Sequence, residues 1–143
     1  MKQRKILIVL GLIVILVVIA KLLYDSFLIR TPIGYAEKKS GLTLPKEIKL
    51  VKFDDNWQNA NGDGSSYIEF ELTDNDVENL KLQCLKNRYS SLPIKENGYD
   101  PFFSKKVGVG YYKLKLLSNN DRSHEIVILD VIGKRLYIMV ESV

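Results

Sequence analysis

The stretch SYIEFELTDNDVENLKLQC, Ser66–Cys84, decides the fold class. Its first seven residues alternate, with Ile68, Phe70 and Leu72 on one side and Tyr67, Glu69 and Glu71 on the other. That period of two predicts a half-buried strand. At Thr73 the pattern changes. Thr73 followed by Asp76 has the spacing of a capping box, and Asp74, Asp76 and Glu78 place negative charge at the positive end of a helix dipole. Val77, Leu80, Cys84 and Leu85 then recur at helical spacing and form the expected buried stripe.

Working outward, Ile48–Phe53 predicts a strand before this unit, and Tyr111–Leu117, Glu125–Leu129 and Leu136–Val140 predict three after it. Ser118–Asp121 and Ile132–Lys134 read as the turns between those three. The order β-β-α-β-β-β fits an α+β domain over residues 46–143, a roughly five-stranded antiparallel or mixed sheet with one packed helix. Tyr89–Lys106 is irregular, with Pro93, Gly98 and Pro101, yet its Leu92, Ile94, Phe102 and Phe103 are expected to fold back onto an apolar surface.

The chain of 143 residues opens differently. Lys2, Arg4 and Lys5 precede an aliphatic run, Ile6–Ala20, and Lys21 separates it from Leu22, Leu23 and Tyr24. Ile6–Tyr24 is nineteen residues, roughly 28 Å as a helix, against a hydrocarbon core of about 30 Å. Residues 1–24 therefore predict a basic head and a single-pass signal-anchor helix in the lipid bilayer, spanning through Ile6, Leu10, Val14, Ile19 and Leu23. The basic head places the N terminus in the cytoplasm of a bacterial cell and the domain outside it. A cleaved signal peptide ending near Ala20 is the alternative, and the uninterrupted apolar run up to that point speaks against it. Residues 25–45, with Pro32, Gly34, Gly41 and Pro45, read as a flexible stalk.

Net charge is +4, but five of the 21 basic residues and one of the 17 acidic ones fall in the first thirty positions, leaving sixteen of each in the remainder. A domain without net charge has no overall field to gather phosphates, and it carries no basic helix or aromatic-basic motif, so nucleic acid is not an expected partner. Cys84 is the one cysteine, which excludes an internal disulfide.

Five patterns hint at chemistry. Asn59, Asn61, Asp63 and Gly64 match the start of a calcium loop, but the twelfth position is Phe70 where a bidentate glutamate is required, and a strand follows. Asn-Gly and Asp-Gly favour a hairpin connection there. Gly108-Val109-Gly110 lacks the third glycine of a dinucleotide fingerprint and precedes a strand, where glycines mark a bend or bulge. His124, the sole histidine, follows a turn and has no companion ligands, so an exposed turn residue is expected. Glu69 and Glu71 lie roughly 7 Å apart on one strand face, and could serve a hydrolase. Cross-strand pairing with Lys113 and Lys115 explains them without catalysis. Cys84 reads as core.

Ile126–Leu129 and Leu136–Val140 are continuously apolar, so both strands are apolar on both sides. One helix covers one face, and Val127, Leu129, Tyr137 and Met139 are the expected partner face, unless Leu92, Ile94, Phe102 and Phe103 cover it. No catalytic, metal-binding or cofactor-binding set comes together. The sequence thus predicts a membrane-tethered, non-catalytic domain that binds another protein outside the cytoplasm, as an immunity-type inhibitor or an envelope-complex accessory subunit. A tethered hydrolase using the paired carboxylates is the alternative.

Overall fold

Alternation after Gly64 produces a strand and the capped run after Thr73 a helix, in a computed structural model that describes residues 11–23, 31–56, 64–95, 108–117 and 123–142. The elements are α1 (residues 11–23), α2 (Pro32–Ser40), β1 (Lys49–Asn56), β2 (Gly64–Glu71), α3 (Asp74–Lys86), β3 (Ser90–Ser91), β4 (Gly110–Leu116), β5 (His124–Asp130) and β6 (Arg135–Ser142). The chain divides into two compact units, Met1–Tyr35 and Ala36–Val143, with the border inside α2.

In the first unit, no helix among the described residues is long and apolar enough to cross a membrane. The thirteen described residues of α1 extend roughly 20 Å, short of the hydrocarbon thickness of about 30 Å. This overturns the expected single-pass anchor, the lipid bilayer as partner, and the cytoplasm-to-outside topology built on them. Of the five residues expected to span, Val14, Ile19 and Leu23 are exposed on α1, while Ile6 and Leu10 lie outside the described residues.

The second unit is α+β, and its sheet has six strands, not five, in the order β1-β2-β6-β5-β4-β3. Every neighbouring pair is antiparallel. The additional strand is the two-residue β3, which pairs Ser90 with Tyr112 and Ser91 with Tyr111. After β2 the chain crosses through α3 to the far side of the sheet. The β4-β5-β6 meander then returns to close against β2, pairing Ile68 with Ile138 and Phe70 with Leu136.

The helix start follows the sequence pattern. The Asp76 N–H donates to Thr73 Oγ1 at 3.2 Å, and the Thr73 N–H donates to Asp76 Oδ2 at 2.9 Å. Val77, Leu80 and Cys84 are buried. Leu85, expected on the same stripe, is 59% exposed, because one residue beyond Cys84 is rotated by about 100° around the helix.

Two apolar layers result. On the helix side, Ile68 and Phe70 of β2, Leu136, Ile138 and Val140 of β6, and Val127 and Leu129 of β5 are buried, with α3 packed against β5. On the other side Tyr112, Ile126 and Ile128 form a buried cluster, against which Leu92, Ile94, Leu114, Tyr67, Tyr137 and Met139 pack. β5 lies between the layers and all seven of its residues are buried. Gly110 is needed where β4 meets β5, because a Cβ there would run into the Leu129 carbonyl. Each fully buried Leu, Ile, Val or Phe contributes about 1.5–3 kcal/mol.

Part of the expected stalk belongs to this core. Ala36, Ser40, Leu42 and Leu44 are all buried. α2 ends at Ser40, and Gly41 just past it has a φ of 70°, the left-handed conformation that suits glycine beyond a helix end, while its N–H donates to the Glu37 carbonyl. The extended residues that follow are held by side chains. The Leu44 N–H donates to Glu37 Oε1 at 2.8 Å, and Thr43 exchanges two hydrogen bonds with the Gln83 amide. The Tyr89 hydroxyl donates to the Ser40 carbonyl at 2.8 Å. Pro and Gly in this stretch mark turns in a packed segment.

Candidate functional site

β1 reads KLVKFDDN, Lys49–Asn56, with its basic residues first and its acidic residues last. Among the described residues it is the outer strand of the sheet and pairs on one side only, with β2. Leu50 faces Phe70 and Phe53 faces Ile68, which puts both on the helix side, while Lys52 and Asp54 pair with Glu69 and Tyr67 on the other. The register shifts between Leu50 and Lys52, so Val51 sits in a bulge. The helix layer does not reach this strand. Leu50, Val51 and Phe53 are 42%, 46% and 37% exposed, whereas their neighbours Phe70 and Ile68 are fully buried.

The opposite side of the same edge is charged and internally balanced. Arg135 of β6 reaches Glu71 at 2.9 Å through Nη1 and Glu69 at 3.5 Å through Nε. Lys49 also reaches Glu71, at 3.0 Å, and Lys52 reaches Asp54 at 2.7 Å. The Tyr67 hydroxyl donates to Glu69 at 3.0 Å, and the Lys52 ammonium lies 5.2 Å from the Tyr67 ring centroid. Burial and that hydrogen bond to Glu69 raise the Tyr67 phenol well above its ordinary range. Hydrogen bonds from Arg135 and Lys49 hold the Glu71 carboxyl below the usual carboxylate range. A general acid in glycoside hydrolysis needs the reverse shift.

The structure redistributes the residues singled out in the sequence. Glu69 and Glu71 share a face with Arg135 and Lys49, while Lys113 and Lys115, expected to pair with them, stand on the helix side opposite Val127 and Glu125. Val127, Leu129, Tyr137 and Met139 do not form one face. β5 and β6 pair Val127 with Ile138 and Leu129 with Leu136, so Val127 and Leu129 are buried under the helix layer. Tyr137 and Met139 lie on the other side with Tyr112 and Ile128, beneath Leu92 and Ile94. The turn at residues 131–134 sets this register, and a one-residue change would exchange the faces. Phe102 and Phe103 lie outside the described residues, as does the connection 57–63 with its calcium-like pattern.

His124 is not an exposed turn residue. It starts β5, is 9% exposed, and its Nε2 lies 4.0 Å from Glu141. Cys84 is fully buried on α3, and burial pushes its thiol up to about 12, which keeps it protonated and unreactive at neutral pH. Among the described residues no group of three or more His, Cys, Asp or Glu side chains is arranged to hold a metal. The exposed apolar edge of β1 was missed because Leu50 and Phe53 look like core residues in the sequence. The signal for an edge was the two lysines set among its apolar residues and the pair of aspartates that follows, a composition found on protected edge strands.

Comparison of the chain with known protein families, with curated proteins and with solved structures finds no match.

Proposed function

We propose that the second unit is a non-catalytic binding module that takes up an extended polypeptide segment as an additional strand on the free edge of β1. One observation carries the reading: an eight-residue edge strand presents Leu50, Val51 and Phe53 to solvent beside a buried sheet interior. Such an edge offers unpaired backbone donors and acceptors for strand addition, and alternate side chains for specificity. The Val51 bulge, a common device against edge pairing, lies in the first half of the strand, and Lys52–Asn56 continues in regular register.

Charge order states the chemistry of the occupant. Lys49 and Lys52 precede Asp54 and Asp55. An antiparallel segment that also reads basic, apolar, acidic brings opposite charges together, with its aspartates opposite the lysines. A parallel segment of that order sets like charges side by side, which is unfavourable.

The test uses the isotope-labelled full chain and two synthetic peptides, one copying Lys49–Asn56 and one with its lysines and aspartates exchanged. Amide shifts confined to β1 and its β2 neighbours, produced by the first peptide alone and abolished by Phe53→Arg, are expected. Equal response to both peptides, no response, or shifts centred elsewhere would overturn the reading. Sedimentation of the full chain then shows whether a second copy, whose β1 has this same charge order, is itself the occupant.

A further inference from the structure

At the far side of the sheet from β1, four lysines converge on one cleft. It has a volume of about 200 Å³ and lies between the end of α2 and the strands β4 and β5. Lys38, Lys39, Ser40 and Gly41 form one wall, and Lys113, Lys115, Glu125 and Val127 form the other. Ser40 and Val127 are buried, so the cleft has a packed floor. Glu125 is also buried, and it binds Lys39 at 3.0 Å. Lys113 holds its ammonium 5.5 Å from the Tyr89 ring centroid. Lys38, Lys113 and Lys115 have no carboxylate within ion-pair distance among the described residues.

Part of this arrangement has an internal explanation. Lys38 and Lys39 occupy the last turn of α2, where positive charge complements the helix dipole. That does not account for Lys113 and Lys115. Two residues apart on one face of β4, they stand roughly 7 Å from each other, and they point towards the α2 pair. Among the described residues that line the cleft, four cations against a single carboxylate leave an excess of three positive charges. Like charges gathered around a half-enclosed space repel one another more strongly than on an open surface. An anion in the cleft removes that repulsion.

We propose that this cleft is a binding site for a small phosphate or pyrophosphate group. The ammonium is a compact point charge with rotatable donors, and lysine is a regular ligand of phosphate in that role. A dianion matches the excess charge better than a single carboxylate. The volume lies below the roughly 300–1,000 Å³ of pockets that enclose a drug-sized ligand, which restricts the occupant to a small group. Val127 offers only an apolar floor, so recognition is through charge and ammonium donors. The site is independent of strand addition at β1.

The experiment is calorimetric titration of the full chain with inorganic phosphate and with pyrophosphate at constant ionic strength, using citrate as an anion of high charge and different shape. Saturable binding is expected for pyrophosphate and, more weakly, for phosphate. Lys113→Gln combined with Lys115→Gln should weaken it at least tenfold, whereas Lys46→Gln, an exposed lysine outside the cleft, should leave it unchanged. Far-ultraviolet circular dichroism and the melting temperature verify that the double variant is folded, and Lys38→Gln provides a second variant on the other wall. Absence of saturable binding overturns the site. So does citrate binding as tightly as pyrophosphate, which would reduce the cleft to a general cationic patch, and so does equal weakening by Lys46→Gln. Failure here leaves the β1 peptide experiment unaffected, since the two use different residues and different ligands.

Discussion

Leu129 and Leu85 are the same residue in opposite circumstances, and replacing each by alanine separates core from surface. Leu129 lies in β5 under the helix layer with none of its surface exposed, while Leu85 points away from the sheet with 59% exposed. Leu129→Ala removes three buried carbons, worth about 2.4 kcal/mol at roughly 0.8 kcal/mol each. The cavity left beside its strand partner Leu136, in a fully buried layer, cannot collapse fully, which brings the expected cost to about 3–4 kcal/mol. Leu85→Ala removes exposed carbons from a helix position where alanine is the better helix former, so its effect should stay within about 0.5 kcal/mol. Urea unfolding of the full chain, followed by tryptophan fluorescence and by circular dichroism, measures both differences. The expected gap is at least about 2 kcal/mol with unchanged denaturant slopes. Equal costs, or a larger one at Leu85, would refute the assignment of the two faces and the β5–β6 register behind it.

Other consequences are open to direct measurement. Thr73→Ala removes the side-chain acceptor of the Asp76 N–H while leaving the backbone N–H of residue 73 to donate to Asp76, and should destabilise the fold by about 0.5–2 kcal/mol, read from the same urea transition. Burial raises Cys84, Tyr67, Tyr89 and Tyr137 above their ordinary values. Their neutral forms are favoured in the fold, so the stability they contribute is complete below the ordinary values of these groups and falls as pH rises through them, the thiol first. Melting temperatures from pH 8 to 11 should decline, and Cys84→Ala should flatten the first part of that decline. Arg135→Gln withdraws the first cause of the depressed Glu71 carboxyl, so its titration, followed by carbon NMR, should move to higher pH. The stability Glu71 contributes above the ordinary carboxylate range, and loses as pH falls through its lowered pKa, should shrink accordingly. An unchanged titration would remove Arg135 from that role.

Much of the local structure was legible in residues 66–84. Alternation and the Thr73–Asp76 spacing act through side chains a few positions apart, so one segment contains all the information they need. The apolar run of β5 was read less well: Val127 and Leu129 were expected on an open partner face, whereas all seven residues of the strand are buried. The α1 region misled for a related reason. Hydropathy measures what a segment would tolerate, whereas spanning requires a continuous helix of sufficient length, and among the described residues none has it. Residues 36–44 were also misread, because their Pro and Gly neighbours suggest a linker. Contact with Gln83 and Tyr89, some forty and more positions away, makes them part of the core.

Side-chain direction along a strand can be read from the chain, but the face it reaches in a sheet cannot. That choice has two values and is set by how each strand registers with its neighbour. Pairing Leu129 with Leu136, not with Tyr137, buried half of the expected partner face and sent Tyr137 and Met139 to the opposite layer. The same parity carried Lys113 and Lys115 away from Glu69 and Glu71 and gathered them beside Lys38 and Lys39. Strand order is likewise invisible in one dimension. β1 is no less apolar than a middle strand at Leu50, Val51 and Phe53, and it became an open edge because β6 took the other side of β2. Local propensity is a property of a few consecutive residues, while edges, faces and clefts exist only between segments that the folded backbone has brought into register.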